Sequence, residues 1–432
     1  MEWLLLGVTA VLGLYMAWTI GANDFANSFA DAVGSRAITF RRAVIIGICC
    51  EFAGSVLVGA HVTDTVRKGI VDPMAFAEIP EVLALGMVCA LVASALWLHV
   101  ATWLGMPVST THSIVGAVAG FGIIGAGWTS VEWGKMGEIV ASWFISPVAG
   151  AVLAYAIFKL LSRFILGRSN PAVAAVRGAP VIVFAVVVVV GLSVFLQGCL
   201  ERLFAKEAAW LEGWGGVVLV LGLGAALAAV SWVFISRFLQ ASVGLPLAEQ
   251  LGMIERVFAP LVVITSSAVA FAHGANDVAN AVGPLAAVSD IVLTGTVKMK
   301  VTVPLWILAL GGVGIVLGLA TYGARVLRTI GTKITELTPS RGVAADLAAT
   351  ATVLVCCRLK LPVSTTHTLV GAIIGVGLAR GLSGVDRRVT RHIFGSWLVT
   401  VPAAAILAIG LFLGARVIHL DRAIGTVIGS AR

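Results

Sequence analysis

Charge is scarce in this chain. Only 12% of its 432 residues are Asp, Glu, Lys or Arg, about half the share of a soluble domain. So thinly charged a surface does not stay dispersed in water, which excludes a soluble enzyme and a disordered protein. Aromatic residues are sparse at 8%, so no platform for stacking bases is suggested. The net charge of +8 sits in short loop clusters such as Arg41-Arg42, Arg67-Lys68 and Arg387-Arg388. Such clusters suit loops beside membrane spans and not a nucleic-acid groove. The six cysteines show no CxxC spacing, and Cys49-Cys50 and Cys356-Cys357 lie inside apolar runs. That argues against a disulfide framework and a zinc site. Long polar stretches are missing too. The longest are 64–81, 162–179, 201–214, 288–302 and 326–342, none long enough to fold as a separate domain.

Apolar residues make up 59% of the chain, and the mean hydropathy is +1.04. Stretches of membrane-spanning length fall near 3–33, 43–62, 82–105, 108–127, 138–161, 180–200, 215–238, 256–287, 303–325, 343–359, 362–380 and 392–416. The first lacks a basic leader and a small-residue cleavage site, so it is read as a retained membrane helix. These features predict an all-α polytopic membrane protein with about twelve apolar helices.

Three motifs occur twice, in the same order. Gly-Ala-Asn-Asp starts at Gly21 and Gly274, Pro-Val-Ser-Thr-Thr-His at Pro107 and Pro362, and a Ser-Trp pair at Ser142 and Ser396. Near-constant spacing of ordered anchors marks two homologous halves. They are expected at 1–161 and 256–418, with a linker at 162–255 holding two extra helices and a tail at 419–432. Each half carries an odd number of apolar segments and the linker an even number, so the repeats are expected to have inverted topology, with broken or re-entrant helices. Loops bearing Arg36, Arg41 and Arg42, then Arg163, Arg168 and Arg177, then Arg387, Arg388 and Arg391 fall on one side. The other side mixes bases with acids such as Asp64, Asp72, Glu78, Glu132, Glu201, Glu207 and Glu212. The first side is expected to be cytoplasmic, leaving both termini outside.

Asn23, Asp24 and Asn27 recur as Asn276, Asp277 and Asn280. An aspartate in the hydrocarbon costs about 2.5–3.5 kcal/mol on insertion scales. One alone would pass as a structural hydrogen-bonding group; a duplicated cluster of amides and carboxylates argues for a site. Their oxygens are hard ligands that suit Na⁺. Pro107 followed by Ser109, Thr110, Thr111 and His112, and the copy Ser364, Thr365, Thr366 and His367, reads as a helix start. A helix N-terminus inside the membrane, with hydroxyls, suits an anion. The bland alternative is a tightly packed, hydroxyl-rich helix pair. An anion beside Asp24 and Asp277 needs its charge offset, by bound cations or by protons on the aspartates or on His112 and His367. Either makes anion and cation binding interdependent. Glu51 and Asp346 are further candidates as rare intramembrane carboxylates. His273 stands where the first half has Ile20, and packing and ligand readings both stay open for it. His61, His99, His392 and His419 receive no role.

These blocks resemble the inorganic phosphate transporter family, the type III sodium-phosphate cotransporters. The similar stretches are GANDFANSFADAVGSRAIT from Gly21, EFAGSVLVGAHVTDTVRKGI from Glu51, PVSTTH from Pro107, FAHGANDVANAVGPL from Phe271 and LPVSTTH from Leu361. The resemblance implies an inverted-repeat fold, a midplane substrate site, a homodimer, and cotransport of inorganic phosphate with Na⁺ or H⁺. Proton-coupled bacterial relatives tend to carry Gly-Phe-His-Asp where this chain has Gly-Ala-Asn-Asp at Gly21 and Gly274, so this chain resembles the sodium-coupled branch. The family's acidic residue in the third helix is replaced by apolar residues near Met87, and Asp346 resembles its second-half counterpart.

The expectation is therefore sodium-coupled phosphate symport in a bilayer, such as a bacterial inner membrane, with no cofactor beyond Na⁺. Ser109, Thr110, Thr111, Ser364, Thr365 and Thr366, with Asn23 and Asn276, are expected to hold phosphate. Asp24, Asn27, Asp277 and Asn280 are expected to hold sodium. The alternatives are a proton-coupled phosphate carrier, a sulfate permease of the same fold, a channel, and a membrane hydrolase using Ser109 or Ser364. The hydrolase has no group to orient a histidine and no nucleophile elbow.

Overall fold

The computed structural model describes residues 2–59, 70–196, 214–299, 301–358 and 363–430. Regular structure among them is helical, apart from one isolated bridge between Val71 and Val131. The helices are α1 (Glu2–Gly34), α2 (Phe40–Leu57), α3 (Pro80–Trp103), α4 (Thr110–Ala126), α5 (Trp133–Leu161), α6 (Pro171–Leu196) and α7 (Trp214–Gln240). They continue with α8 (Leu247–Thr294), α9 (Leu305–Tyr322), α10 (Ala324–Lys333), α11 (Pro339–Arg358), α12 (Thr365–Ala379), α13 (Arg387–Val417) and α14 (Leu420–Ser430).

Each of the twelve apolar stretches falls on a helix. Eight helices among the described residues are long and apolar enough to cross a membrane. The other four differ for plain reasons. In α2 the charges are Arg41, Arg42 and Glu51, and in α11 they are Arg341, Asp346 and Arg358. With 17 and 15 residues, α4 and α12 reach only about 22–26 Å at 1.5 Å per residue, short of the ~30 Å hydrocarbon core. The 48-residue α8 runs well past the expected 256–287, through Pro260 and Pro284. Short α10 and α14 were not expected; both are amphipathic and lack an apolar run of spanning length. His61, Asp64, Arg67, Lys68, Glu201, Glu207, Glu212 and Pro362 lie outside the described residues.

Polarity is inverted relative to a water-soluble fold. Asn23, Asp24, Asn27, Asp31, Glu51, His273, Asp277 and Asp346 are buried, while Trp3, Phe144 and Phe234 are exposed. Lipid is the medium in which such an exterior is favourable.

With apolar tails outside, hydrophobicity gives helices little reason to associate, so close packing between small residues supplies the adhesion. A Cβ on Gly21 would run into the Ile315 carbonyl oxygen, and one on Gly274 into that of Glu51. The α1–α9 crossing follows 14 against 314, 18 against 318 and 25 against 323, so these helices run parallel. The α2–α8 crossing, 51 against 274 and 59 against 278, is parallel as well. In contrast, α1 and α8 oppose each other: Gly13 meets Leu285, Asp24 meets His273, and Asp31 meets Ser266. The motif-bearing helices therefore cross in opposite senses at their buried polar residues.

Candidate functional site

Helix α4 starts where its sequence dictates. Ser109 adopts an extended conformation and its Oγ accepts the His112 N–H at 3.2 Å. Ser364 caps α12 in the same way, accepting the His367 N–H at 3.3 Å. Capping satisfies one of the orphan donors of each helix end. Both N-termini lie in the protein interior, where Ser109, Thr110, Ser364 and Thr366 are all buried.

Three of the four threonines behind these caps reach one of two aspartates. Thr111 Oγ1 donates to Asp277 Oδ1 at 3.3 Å, and Thr365 Oγ1 to Asp277 Oδ2 at 3.4 Å. Thr366 Oγ1 reaches Asp24 Oδ1 at 3.5 Å, and Thr110 Oγ1 accepts from Asn280 Nδ2 at 3.3 Å. Both helix ends thus give a hydroxyl to Asp277, and α12 gives a second one to Asp24. The asparagines complete the pattern. Asn27 Nδ2 donates to Asp24 Oδ1 at 3.1 Å and to Thr366 Oγ1 at 2.8 Å. Asn280 Nδ2 donates to Asp277 Oδ1 at 3.1 Å and to Thr111 Oγ1 at 3.1 Å.

Asn23 is spoken for elsewhere. Its Nδ2 donates to Thr102 Oγ1 at 2.9 Å and to the Met106 carbonyl at 3.1 Å, and its Oδ1 accepts Val108 N–H at 3.2 Å. It fixes the turn from α3 into α4 and so sets where α4 begins. Asn276, on α8, is half-buried.

His273 occupies the centre. Its Nε2 lies 3.0 Å from Asp277 Oδ2 and 3.4 Å from Asp24 Oδ2, and its Nδ1 lies 3.5 Å from Glu51 Oε2. Ser28 Oγ reaches Glu51 Oε1 at 3.5 Å. Among the described residues, His273 is the basic side chain paired with these three carboxylates. Asp24, His273 and Asp277 each offer a ligand atom, all within 4.8 Å of one another, a spacing a cation can bridge. Asn27 Oδ1 is buried without a hydrogen-bond donor, and Asp24 Oδ2 has the His273 contact at 3.4 Å and no hydrogen bond.

Behind the helix ends, His112 and His367 meet edge to face, with ring centroids 4.7 Å apart. His367 stacks on Trp397 at 3.7 Å, and Trp397 Nε1 donates to the Pro107 carbonyl at 3.0 Å. His112 packs 5.1 Å from Trp143. These imidazoles hold α4 against α12, and aromatic packing is the contact they make.

The sequence candidates therefore divide. Asp24, Asn27, Asp277, Asn280, Thr110, Thr111, Thr365 and Thr366 converge on one point, with Glu51 joined through His273. Ser109 and Ser364 hold the helix starts, and Asn23 holds the turn before α4. Asp346 stands apart, beside Asp31, Thr265 and Ser266. Sequence reasoning leaves His273 undecided and passes over Asp31. The signal for Asp31 is the same as for Asp24, a carboxylate in an apolar run, but no second-half copy draws attention to it.

A polytopic helical protein with a buried polar centre between two helix N-termini belongs to the class of membrane transporters. Residues 20–408 match the model of the phosphate transporter family. The chain is 46% identical over 410 residues to the "Putative phosphate permease TK2061" of Thermococcus kodakarensis, covering 95% of this chain and 97% of that one. It is 41% identical over 418 residues to "Inorganic phosphate transporter 2-1, chloroplastic" of Arabidopsis thaliana, covering 93% and 70%. A solved structure described as "The sodium-dependent phosphate transporter" superposes with a TM-score of 0.80 at 38% identity, covering 96% of this chain and 99% of that one. The chain belongs to the phosphate transporter family. It is a membrane carrier of phosphate and not an enzyme.

Proposed function

We propose that the protein is a sodium-coupled symporter that carries inorganic phosphate inward. The observation that carries this reading is the sharing of hydroxyls: a threonine from each helix end on Asp277, and one from α12 on Asp24. A hydroxyl has one hydrogen. While it points at a carboxylate, only lone pairs remain for a ligand, and lone pairs repel phosphate oxygens. Sodium on the carboxylates changes both terms. It cancels their charge, and it releases the threonine hydrogens to turn towards an anion. Phosphate then finds hydroxyl donors and two helix N-termini. Coupling follows from this chemistry, because each ligand creates the site for the other.

In this reading Asp24, Asn27, Asp277 and Asn280 hold sodium, and Thr110, Thr111, Thr365 and Thr366 hold phosphate. Ser109, Ser364 and Asn23 set the helix ends in place, and half-buried Asn276 is assigned to phosphate. The halves 1–161 and 256–418 are inverted repeats. The opposite run of α1 and α8, and the matched bonds of Asn27 to Thr366 and Asn280 to Thr111, support it. Rocking of the elements around the fixed site alternates access. The side with Arg36, Arg41 and Arg42 faces the cytoplasm, and the carrier works as a homodimer.

The test is uptake of radiolabelled phosphate into liposomes holding purified protein. An inward Na⁺ gradient should drive uphill uptake that excess sulfate leaves intact. Asp24→Asn and Asp277→Asn should each abolish it while the protein stays folded in the membrane. Full sodium-driven uptake by both variants would sink the assignment. Uptake driven by a proton gradient alone would reassign the carboxylates to protons.

A further inference from the structure

A second buried carboxyl pair lies outside the phosphate site. Asp31 is seven residues beyond Asp24 on α1, two turns or about 10 Å along the axis. It meets Asp346 of α11 beside Thr265 and Ser266 of α8, and both carboxyl groups have 0% exposure. Asp31 Oδ1 accepts from Ala32 N–H at 2.8 Å. Ser266 Oγ lies 3.1 Å from Asp31 Oδ1 and 3.1 Å from Asp346 Oδ2. Thr265 Oγ1 lies 2.6 Å from Asp346 Oδ2 and 3.1 Å from the Val262 carbonyl. The remaining oxygens, Asp31 Oδ2 and Asp346 Oδ1, have no donor, and Ser266 Oγ is the atom that the two carboxyls share.

Counting hydrogens exposes a deficit. Ser266 and Thr265 own one hydroxyl hydrogen each, yet they make four oxygen–oxygen contacts at hydrogen-bond distance. The single hydrogen of Ser266 can go to only one of the two carboxyls that its oxygen touches. An oxygen pair at this distance without a hydrogen between them is repulsive, and an unpaired buried carboxylate is costly. No basic side chain among the described residues pairs with this cluster. The charged groups on the helices packed around it are placed or paired elsewhere. On α1 and α2 these are Asp24 and Glu51, which meet His273 of α8; Arg41 and Arg42 sit at the start of α2. On α8, Glu255 accepts from Ser340. On α11, Arg341 faces Glu336 at 3.8 Å. Lys135 and Glu138 of α5 pair with each other, Lys159 lies over Tyr155, and Arg177 of α6, with Arg325, Arg328 and Lys333 of α10, makes no ion pair with either carboxyl.

We propose that Asp31 and Asp346 form a one-proton site. One carboxyl carries the proton and donates it to Ser266 Oγ, whose own hydrogen goes to the other carboxylate. That added hydrogen fastens α1, α8 and α11 together two turns from the phosphate site. Releasing it to water leaves two adjacent carboxylates whose repulsion drives α1 from α11. Transport then responds to pH through a group separate from the ions it carries.

Difference infrared spectroscopy of the full-length protein in lipid tests this directly, without any transport measurement, so its outcome is independent of the sodium reading. At neutral pH, without sodium or phosphate, the wild type should show the carbonyl stretch of a buried protonated carboxyl that shifts in D₂O. Alkaline buffer should remove it. Asp31→Asn and Asp346→Asn should each lack it, because the asparagine N–H supplies the missing hydrogen. A wild type without the band, or a band that both variants keep, overturns the proposal. So does a band that Na⁺ alone abolishes at fixed pH, which would make the pair a cation site. In liposomes, wild-type uptake should fall at alkaline pH and Asp31→Asn should flatten that fall; an unchanged profile in Asp31→Asn counts against the latch.

Discussion

Asp24 and Asp277 face each other across one imidazole: His273 Nε2 stands 3.4 Å from the first and 3.0 Å from the second. The two residues are 253 positions apart in the chain and meet because α1 and α8 cross in opposite directions. Two buried carboxylates with one shared nitrogen between them are short of positive charge. A phosphate ion brought to the same place increases the shortage.

Sodium should therefore precede phosphate. Titration calorimetry on purified protein should detect little phosphate binding in choline buffer and clear binding in sodium buffer. The expected gain is about 5–150-fold, the usual range of coupling between two ligands. Reciprocity requires phosphate to tighten sodium by the same factor. Equal phosphate affinity in both buffers would contradict the shared-hydroxyl mechanism.

Asn27 and Asn280 each donate at 3.1 Å to an aspartate, and so orient the carboxylates proposed above to receive sodium. Loss of an orienting partner typically weakens metal binding about 10–100-fold. Asn27→Ala and Asn280→Ala should each raise the sodium concentration for half-maximal uptake by a factor in that range. The maximal rate at saturating sodium should fall less. A loss of rate at unchanged sodium dependence would place these asparagines in phosphate handling instead.

Long apolar runs in the sequence locate twelve helices, because a lipid-facing helix writes its length into composition. Duplicated motifs mark the candidate site, because a carboxylate in hydrocarbon needs a reason. What stays hidden depends on which helices cross. Asn23 lies in the same motif as Asp24, yet its partners Thr102 and Met106 are far along the chain. His273 has no copy in the first half, and its role rests on the approach of α1, α2 and α8. Asp31 gains meaning only beside Asp346. Helices α10 and α14 escape notice because an interfacial amphipathic helix has no hydrophobic run to mark it.

The serines and threonines of the two helix ends should respond differently to mutation. Ser109 and Ser364 accept from their own helices. Ser109→Ala and Ser364→Ala should each cost roughly 0.5–2 kcal/mol of stability, seen as a lower melting temperature. Thr111→Val and Thr365→Val remove hydroxyls aimed at Asp277. They should leave the melting temperature nearly unchanged and raise KM for phosphate at saturating sodium. The reverse assignment, with phosphate affinity lost in the serine variants and stability in the threonine variants, would overturn the division.

Close helix crossing sets the last expectation. A Cβ on Gly318 would strike the Trp18 carbonyl oxygen, and one on Gly21 the Ile315 carbonyl oxygen, both at the α1–α9 crossing. Backbone cannot move aside as a flexible side chain can. Overpacking in a dense interior costs about 1–3 kcal/mol, and here it also displaces Asp24, three residues from Gly21. Gly21→Ala and Gly318→Ala should lower the melting temperature and raise the sodium concentration for half-maximal uptake. Gly7→Ala is the control: it lies on the same helix with nothing within 4 Å of the added carbon. It should melt and transport like the wild type, since alanine is the better helix former. If Gly7→Ala proved as damaging as Gly318→Ala, helix propensity and not the crossing would be the cause. Separation of the two would show that α1 holds its aspartate in place through contact with α9.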